Sequence, residues 1–165
     1  MPLGSAERGR NWHTERIPSL SGGLLGRPFA QHTVEAPAPP ERVWALWSDP
    51  QTWPSFYPGL ASVRSSESFK MGAVLALFPS GGSRPQRFEI LFLEAGRAFT
   101  LVRRLPLATL RLHHRIDACE LGCRLHLRLD LDGPLGWIYG LAKGRSWKAA
   151  LPLLLRTLAK AAQQT

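Results

Sequence analysis

The stretch TLRLHHRIDA, residues 109–118, contains the side chain best placed to do chemistry. Read as extended chain, it sets Leu110, Leu112, His114, Ile116 and Ala118 on one face and Thr109, Arg111, His113, Arg115 and Asp117 on the other. His114 therefore points among apolar neighbours, where a polar ring must find either a protein partner or a ligand. One role is a core histidine bonded to the backbone or a neighbouring side chain. The other is a general base, or a hydrogen-bond donor to a carbonyl-bearing ligand. Arg103 shares the parity of Phe99 and Leu101, so it either holds a carboxylate or carbonyl from inside or reaches solvent from its strand end. Glu89 alternates with Phe88 and Ile90 and belongs outside. Lys148 either stands in solvent or closes over an anionic ligand.

Cys119 and Cys123 lie four residues apart with histidines nearby, a combination that raises the question of a metal. The run CRLHLRLDLD, residues 123–132, answers it. Cys123, Leu125, Leu127, Leu129 and Leu131 form an apolar face, with Arg124, His126, Arg128, Asp130 and Asp132 opposite. A turn at Leu121-Gly122 would join this strand to the preceding one as a hairpin. With Glu120 opposite Cys123, Leu112 faces Leu131, Ile116 faces Leu127 and His114 faces Leu129. On the other face Asp117 meets His126, His113 meets Asp130 and Arg111 meets Asp132, three complementary pairs. Cys119 is then outside and Cys123 inside, so neither a disulfide nor a shared metal is expected. No cofactor is expected either: the chain has no Ser-His-Asp order, no paired carboxylates on an apolar face, no phosphate loop and no dinucleotide fingerprint.

The elements that must position these residues can be read along the chain. Residues 1–28 have no hydrophobic period and carry Gly, Ser and Pro throughout, which reads as a disordered or loosely docked arm before a domain over 29–165. FAQHTVEA reads as a strand, and PERVWALWS as a short helix with Pro40 in its first turn and Val43, Trp44 and Trp47 on one side. This places Trp44 in the core beneath the last helix. DPQTWPSFYPG reads as a second, broken helix or turn stopped by Pro54 and Pro58. LASVRSS, AVLALF, QRFEILFLE and AFTLVRR then read as strands ahead of the hairpin. Residues 135–164 form one long helix whose apolar stripe includes Trp137, Leu141, Gly144, Leu151, Leu154, Leu155 and Leu158, bent at Pro152. A long apolar-faced helix after a run of antiparallel strands needs a surface to lie on, and the concave apolar face of the sheet supplies it. The fold class is α+β.

The chain of 165 residues suits one core, and no apolar run reaches the length of a membrane span. Its first thirty residues lack a basic start followed by an apolar core, so no secretory signal and a cytoplasmic location are expected. The formal charge of +9 raises an anionic partner. The positive charge is scattered and no specific nucleic-acid motif accompanies it, so it reads as a solvated surface with at most a weak anionic-surface contact. From Gly133 onward every charged side chain is positive: Lys143, Arg145, Lys148, Arg156 and Lys160. The residues leave the oligomeric state open.

Three stretches resemble the helix-grip superfamily of polyketide cyclases and dehydrases, START lipid-transfer domains and the birch-pollen allergen group. They are APPERVWALWSDPQTWPSFYPGL near the start, Gly72 where a third strand opens, and GPLGWIYGLAKGRSWKAALPLLLRTLAKAA at the end. The resemblance implies a curved antiparallel sheet wrapped around the long C-terminal helix, with two short helices after the first strand. It also implies a cavity between sheet and helix that takes a small hydrophobic or lipid-like molecule. Trp53, Phe56 and Tyr57 would then stand at its rim, divided between core and mouth. Phe88, Arg103, Leu112, His114, Ile116 and Leu127 would line the sheet side, and Leu141 and Leu151 the helix side. If such a protein is an enzyme, aldol-type cyclisation or dehydration is the reaction class, with His114 as base and Arg103 or Tyr57 steadying the enolate. A basic module for RNA, ribosome or anionic membrane is the remaining alternative.

Overall fold

The computed structural model describes residues 29–164; the proposed arm over 1–28 lies outside the described residues. Strand β1 spans Ala30–Ala36 and is followed by helix α1, Pro40–Ser48, and a 3-10 turn, Pro50–Ser55. Six strands come next: β2 Leu60–Ser65, β3 Val74–Pro79, β4 Gln86–Glu94, β5 Ala98–Leu105, β6 Ala108–Cys119 and β7 Gly122–Asp132. Helix α2, Gly136–Gln164, ends the fold. The strands form one antiparallel sheet in the order β1-β7-β6-β5-β4-β3-β2, so β1 closes one edge and β2 the other. This is the helix-grip arrangement: a curved open sheet whose concave face is covered by α2, with the two short helical pieces after the first strand.

Alternation decides which residues enter the core. Leu75, Ile90, Phe99, Leu125 and Leu127 are fully buried on the concave side, and Leu155 and Leu158 meet them from α2. In β4 the apolar run Leu91-Phe92-Leu93 breaks strict alternation because the pairing with β5 slips between Ile90 and Phe92. Leu91 is the extra residue and is left exposed, after which Leu93 returns to the inner face opposite Phe99. Glu89 lies outside, 3.8 Å from Arg104.

The hairpin register differs from the expected one by two residues. Ala118 pairs with Cys123, Ile116 with Leu125, His114 with Leu127 and Leu112 with Leu129, and the turn is Glu120-Leu121. A shift of two leaves every side chain on its face. The three charged pairs also survive, now diagonally across the ladder. Arg111 contacts Asp132, His113 Nε2 lies 3.1 Å from Asp130 Oδ2, and His126 Nε2 lies 3.2 Å from Asp117 Oδ2. Cys119 and Cys123 sit on opposite faces as free thiols, and the described residues contain no cluster able to hold a metal ion.

Helix α2 does not lie on the sheet along its whole length. Leu151, Leu154, Leu155, Leu158, Ala159 and Ala162 are buried, whereas Trp137 and Leu141 are exposed. The first half of the helix instead seats a glycine face against Phe29, just before the edge strand β1. A Cβ at Gly140 or Gly144 would come within 2.9 or 2.7 Å of that ring. The wide apolar stripe expected along the helix is therefore two surfaces, an aliphatic one over the sheet and a glycine one beside its edge. No described helix is long and apolar enough to cross a membrane.

The tight hairpin turn places Gly122 against the end of β1. It holds φ +140, and a Cβ there would lie 2.2 Å from the Ala36 carbonyl oxygen and 2.8 Å from Ala38 N. Both obstacles are backbone and cannot rotate away. Replacing Gly122 by Ala is expected to lower unfolding stability by about 2–4 kcal/mol, read as a lower urea midpoint at unchanged m-value.

Candidate functional site

The aromatic residues between 44 and 57 form the end wall of the concave face. Pro40 starts α1 and Glu41 occupies its first turn; Asp49 then caps the 3-10 turn by accepting from Gln51 N at 3.0 Å. The 3-10 turn is tied to its surroundings at several points. Trp53 Nε1 donates to the Trp47 carbonyl at 3.1 Å and Gln51 Nε2 to Val63 O at 3.2 Å. The Thr157 hydroxyl of α2 donates to the Phe56 carbonyl. These bonds hold Trp53 and Phe56 inward. The fully buried ring of α1 is Trp47; Trp44, expected in the core beneath the long helix, is only half-buried and makes edge contacts to Phe69 and Phe99. The difference is one of helix phase, since Trp47 shares the side of Val43 that faces the sheet.

His114 lies against this wall. Its ring stacks on Phe99 at 4.1 Å with planes 6° apart and meets the edge of Trp47 at 5.4 Å. It is 6% exposed, and its Nδ1 has no hydrogen-bond partner. Burial depresses its pKa from 6.5 to about 3, His113 pushes it the same way, and the Leu112 and Phe99 backbone offsets part of the shift. The imidazole is therefore neutral at physiological pH. A conjugate acid this strong makes His114 a weak general base.

In front of the ring lies a small apolar recess. Trp47, Trp53, Phe56 and Tyr57 form one side, the sheet residues Leu77, Phe88, Phe99, Leu101, Leu112, His114 and Leu127 the floor, and Ala150, Leu151 and Leu154 of α2 the roof. A water centre has about 30 Å³ to occupy, room for about two water molecules. Tyr57 is half-buried, and desolvation raises its phenol above the ordinary value, so it too is neutral.

Eight of the residues expected at a cavity are brought together here: Trp53, Phe56, Tyr57, Phe88, Leu112, His114, Leu127 and Leu151. Three are not. Ile116 is 3% exposed but lies in the core one pair beyond His114, outside the recess. Leu141 is 78% exposed, because its part of α2 is seated on glycines rather than leucines. Arg103 stands at the margin, half-buried, donating to Gln86 Oε1 at 2.8 Å with its guanidinium 6.0 Å from the centre of the Phe88 ring. Lys148 is exposed, with its ammonium 5.0 Å from the centre of the Phe29 ring. Sequence reading missed Trp47, Leu77, Phe99, Leu101, Ala150 and Leu154. Phe99 and Leu101 carried a usable signal, their shared parity with Arg103; Leu77 depended on how far the sheet curls.

Residues 29–163 match the family described as polyketide cyclase/dehydrase and lipid transport. The chain belongs to that family. No curated protein matches it in sequence. Among solved structures it is similar to protein NE0264 from Nitrosomonas europaea, at TM-score 0.65 and 12% identity over 81% of this chain and 93% of that one. Protein MLL2253 from Mesorhizobium loti is similar at TM-score 0.65 and 16% identity, over 82% and 97%. The di-domain ARO/CYC protein StfQ from the steffimycin biosynthetic pathway gives TM-score 0.65 and 14% identity, over 81% of this chain and 50% of that one. At these identities the likeness is one of fold.

In this member of the family the buried histidine links stability to pH. Unfolded, the ring takes a proton near pH 6.5; folded, only near 3. Between those values the unfolded state binds more protons, so this contribution is complete above about pH 6.5 and is lost as pH falls toward 3. Chemical denaturation is expected to show wild type losing roughly a few kcal/mol more than His114→Phe over that window. Parallel curves for the two proteins would contradict the burial of a neutral ring.

Proposed function

We propose that the protein binds a small, mostly apolar molecule carrying one hydroxyl or carbonyl group, held between the sheet and α2. The observation that carries this reading is His114 Nδ1, a buried polar atom without a partner at the wall of an aromatic recess. Leaving such an atom unpaired costs about 1–3 kcal/mol, which a ligand hydroxyl or carbonyl would recover. The rings around it suit a flat or ring-bearing ligand. A molecule of that size needs more than the present space, so binding requires the Tyr57 side chain or the helix over Leu151 to move outward. A cytoplasmic setting is consistent with the two free thiols.

A cyclisation or dehydration with His114 as base is supported by the family's description but less well by the electrostatics. A group titrating near 3 has little proton affinity at neutral pH. Binding without chemistry asks only for a neutral imidazole, which burial ensures.

Tryptophan fluorescence titration with 2-naphthol and 2-methylnaphthalene separates hydrogen bonding from apolar fit. The wild-type protein is expected to prefer the naphthol by about tenfold, the worth of one buried hydrogen bond. His114→Phe is expected to bind the two alike. Saturable binding of neither compound, or a preference that survives in His114→Phe, would sink the reading.

A further inference from the structure

Several large apolar side chains stand in solvent at one end of the molecule. Trp137 is 66% exposed, Leu141 78% and Ile138 42%, all on the first turns of α2, and Leu107 is 66% exposed at the β5–β6 turn. The two groups are neighbours, since Leu135 N donates to the Leu107 carbonyl at 3.1 Å and the Tyr139 hydroxyl to the Pro106 carbonyl at 3.4 Å. Leu107 holds φ 54, a left-handed conformation that glycine or asparagine adopts more easily. An apolar side chain is thus presented to water at the tip of the tight turn that pairs Leu105 with Ala108.

The glycine seat explains why the helix face is free. With Gly140 and Gly144 against Phe29, the neighbouring face of α2 turns away from the protein. At 100° per residue Trp137, Leu141, Arg145 and Lys148 fall within about 80° of one another, the rings and aliphatic chains first and the cations one turn on. No acidic residue follows Gly133, and Asp132, just before the helix, is paired with Arg111. A protruding apolar cluster beside cations, with a tryptophan among it, has the character of a membrane-interface surface.

Charge decides among the possible occupants. A second copy meeting this face across a two-fold axis would set Arg145 and Lys148 against their own images. Residues 1–28 carry four arginines and two glutamates, so that segment is positive as well. An anionic bilayer complements both halves of the patch. We propose that this end of the molecule docks on an anionic lipid bilayer, with Leu107, Trp137 and Leu141 in the headgroup boundary and Arg145 and Lys148 against the anionic headgroups. None of these residues lines the recess, so the proposal stands apart from the ligand reading.

Flotation of the full chain with phosphatidylcholine vesicles, with and without phosphatidylglycerol, tests it. The protein is expected to float with the anionic vesicles and at least about tenfold less with the neutral ones. The double variants Trp137→Ser/Leu141→Ser and Arg145→Glu/Lys148→Glu are each expected to weaken flotation at least about tenfold. The first is expected to leave the melting temperature unchanged, and the second to show only the small loss that follows from removing the Lys148 contact to the Phe29 ring. Absence of flotation with anionic vesicles would overturn the proposal. So would flotation that the charge variant loses and the apolar variant keeps, or release of the vesicles by an equal charge of RNA. A wild-type dimer that Trp137→Ser/Leu141→Ser dissociates would assign the face to a second copy instead.

Discussion

The fold depends on covering one concave apolar surface. Seven antiparallel strands present leucines, isoleucine and phenylalanines to one side, and a sheet exposing that face would not hold together in water. The second half of α2 provides the cover, with Leu151, Leu154, Leu155 and Leu158 set into the sheet. At one end of the sheet the helix does not reach, and the rings of Trp47, Trp53 and Phe56 fill the gap. Thr157 joins the two covers through its bond to the Phe56 carbonyl. The recess is the residual space where aliphatic and aromatic covers meet, which is why residues from α1, the 3-10 turn, five strands and α2 all border it.

That junction also produces the one buried side-chain polar atom without a hydrogen-bond partner among the described residues. His114 occupies an inward position that the alternation of β6 requires to be buried; its ring stacks on Phe99, and its Nδ1 has no hydrogen-bond partner. The other two histidines of the hairpin show the contrasting case. His113 and His126 point outward, each between a threonine hydroxyl and an aspartate, with Thr100 and Asp130 for the first and Thr33 and Asp117 for the second. Burial opposes the ionisation of Asp130, yet the bonds from His113 and Arg128 outweigh it and hold its carboxyl below the usual range. The two outward histidines of the hairpin are thus paired and the Nδ1 of the inward one is not.

Much of this arrangement is legible along the chain. The helix over PERVWALWS, the strand QRFEILFLE and the inward parity of Leu112, His114, Leu127 and Leu129 all follow from local spacing, and the structure places them accordingly. Trp44, Leu141 and Ile116 do not follow. Trp44 and Trp47 are both compatible with an apolar helix side and both meet Phe99, and only the packing of the Val43 side against the sheet selects the second for full burial. Leu141 fits the helical stripe, yet Gly140 and Gly144 bring a different face against Phe29. Ile116 has the right parity, but whether an inward residue borders empty space depends on where the cover ends.

The sequence by itself determined element type and side-chain face, because both follow from short-range periodicity: period 2 in a strand, 3.6 in a helix. Tertiary structure decided the rest. The β6–β7 register moved by two residues without disturbing a face, since pairing depends on the turn and on the neighbouring edge of β1 rather than on parity. It also decided which half of α2 lies on the sheet and which stands free. Those outcomes depend on distances between segments far apart in the chain, and no local spacing encodes them.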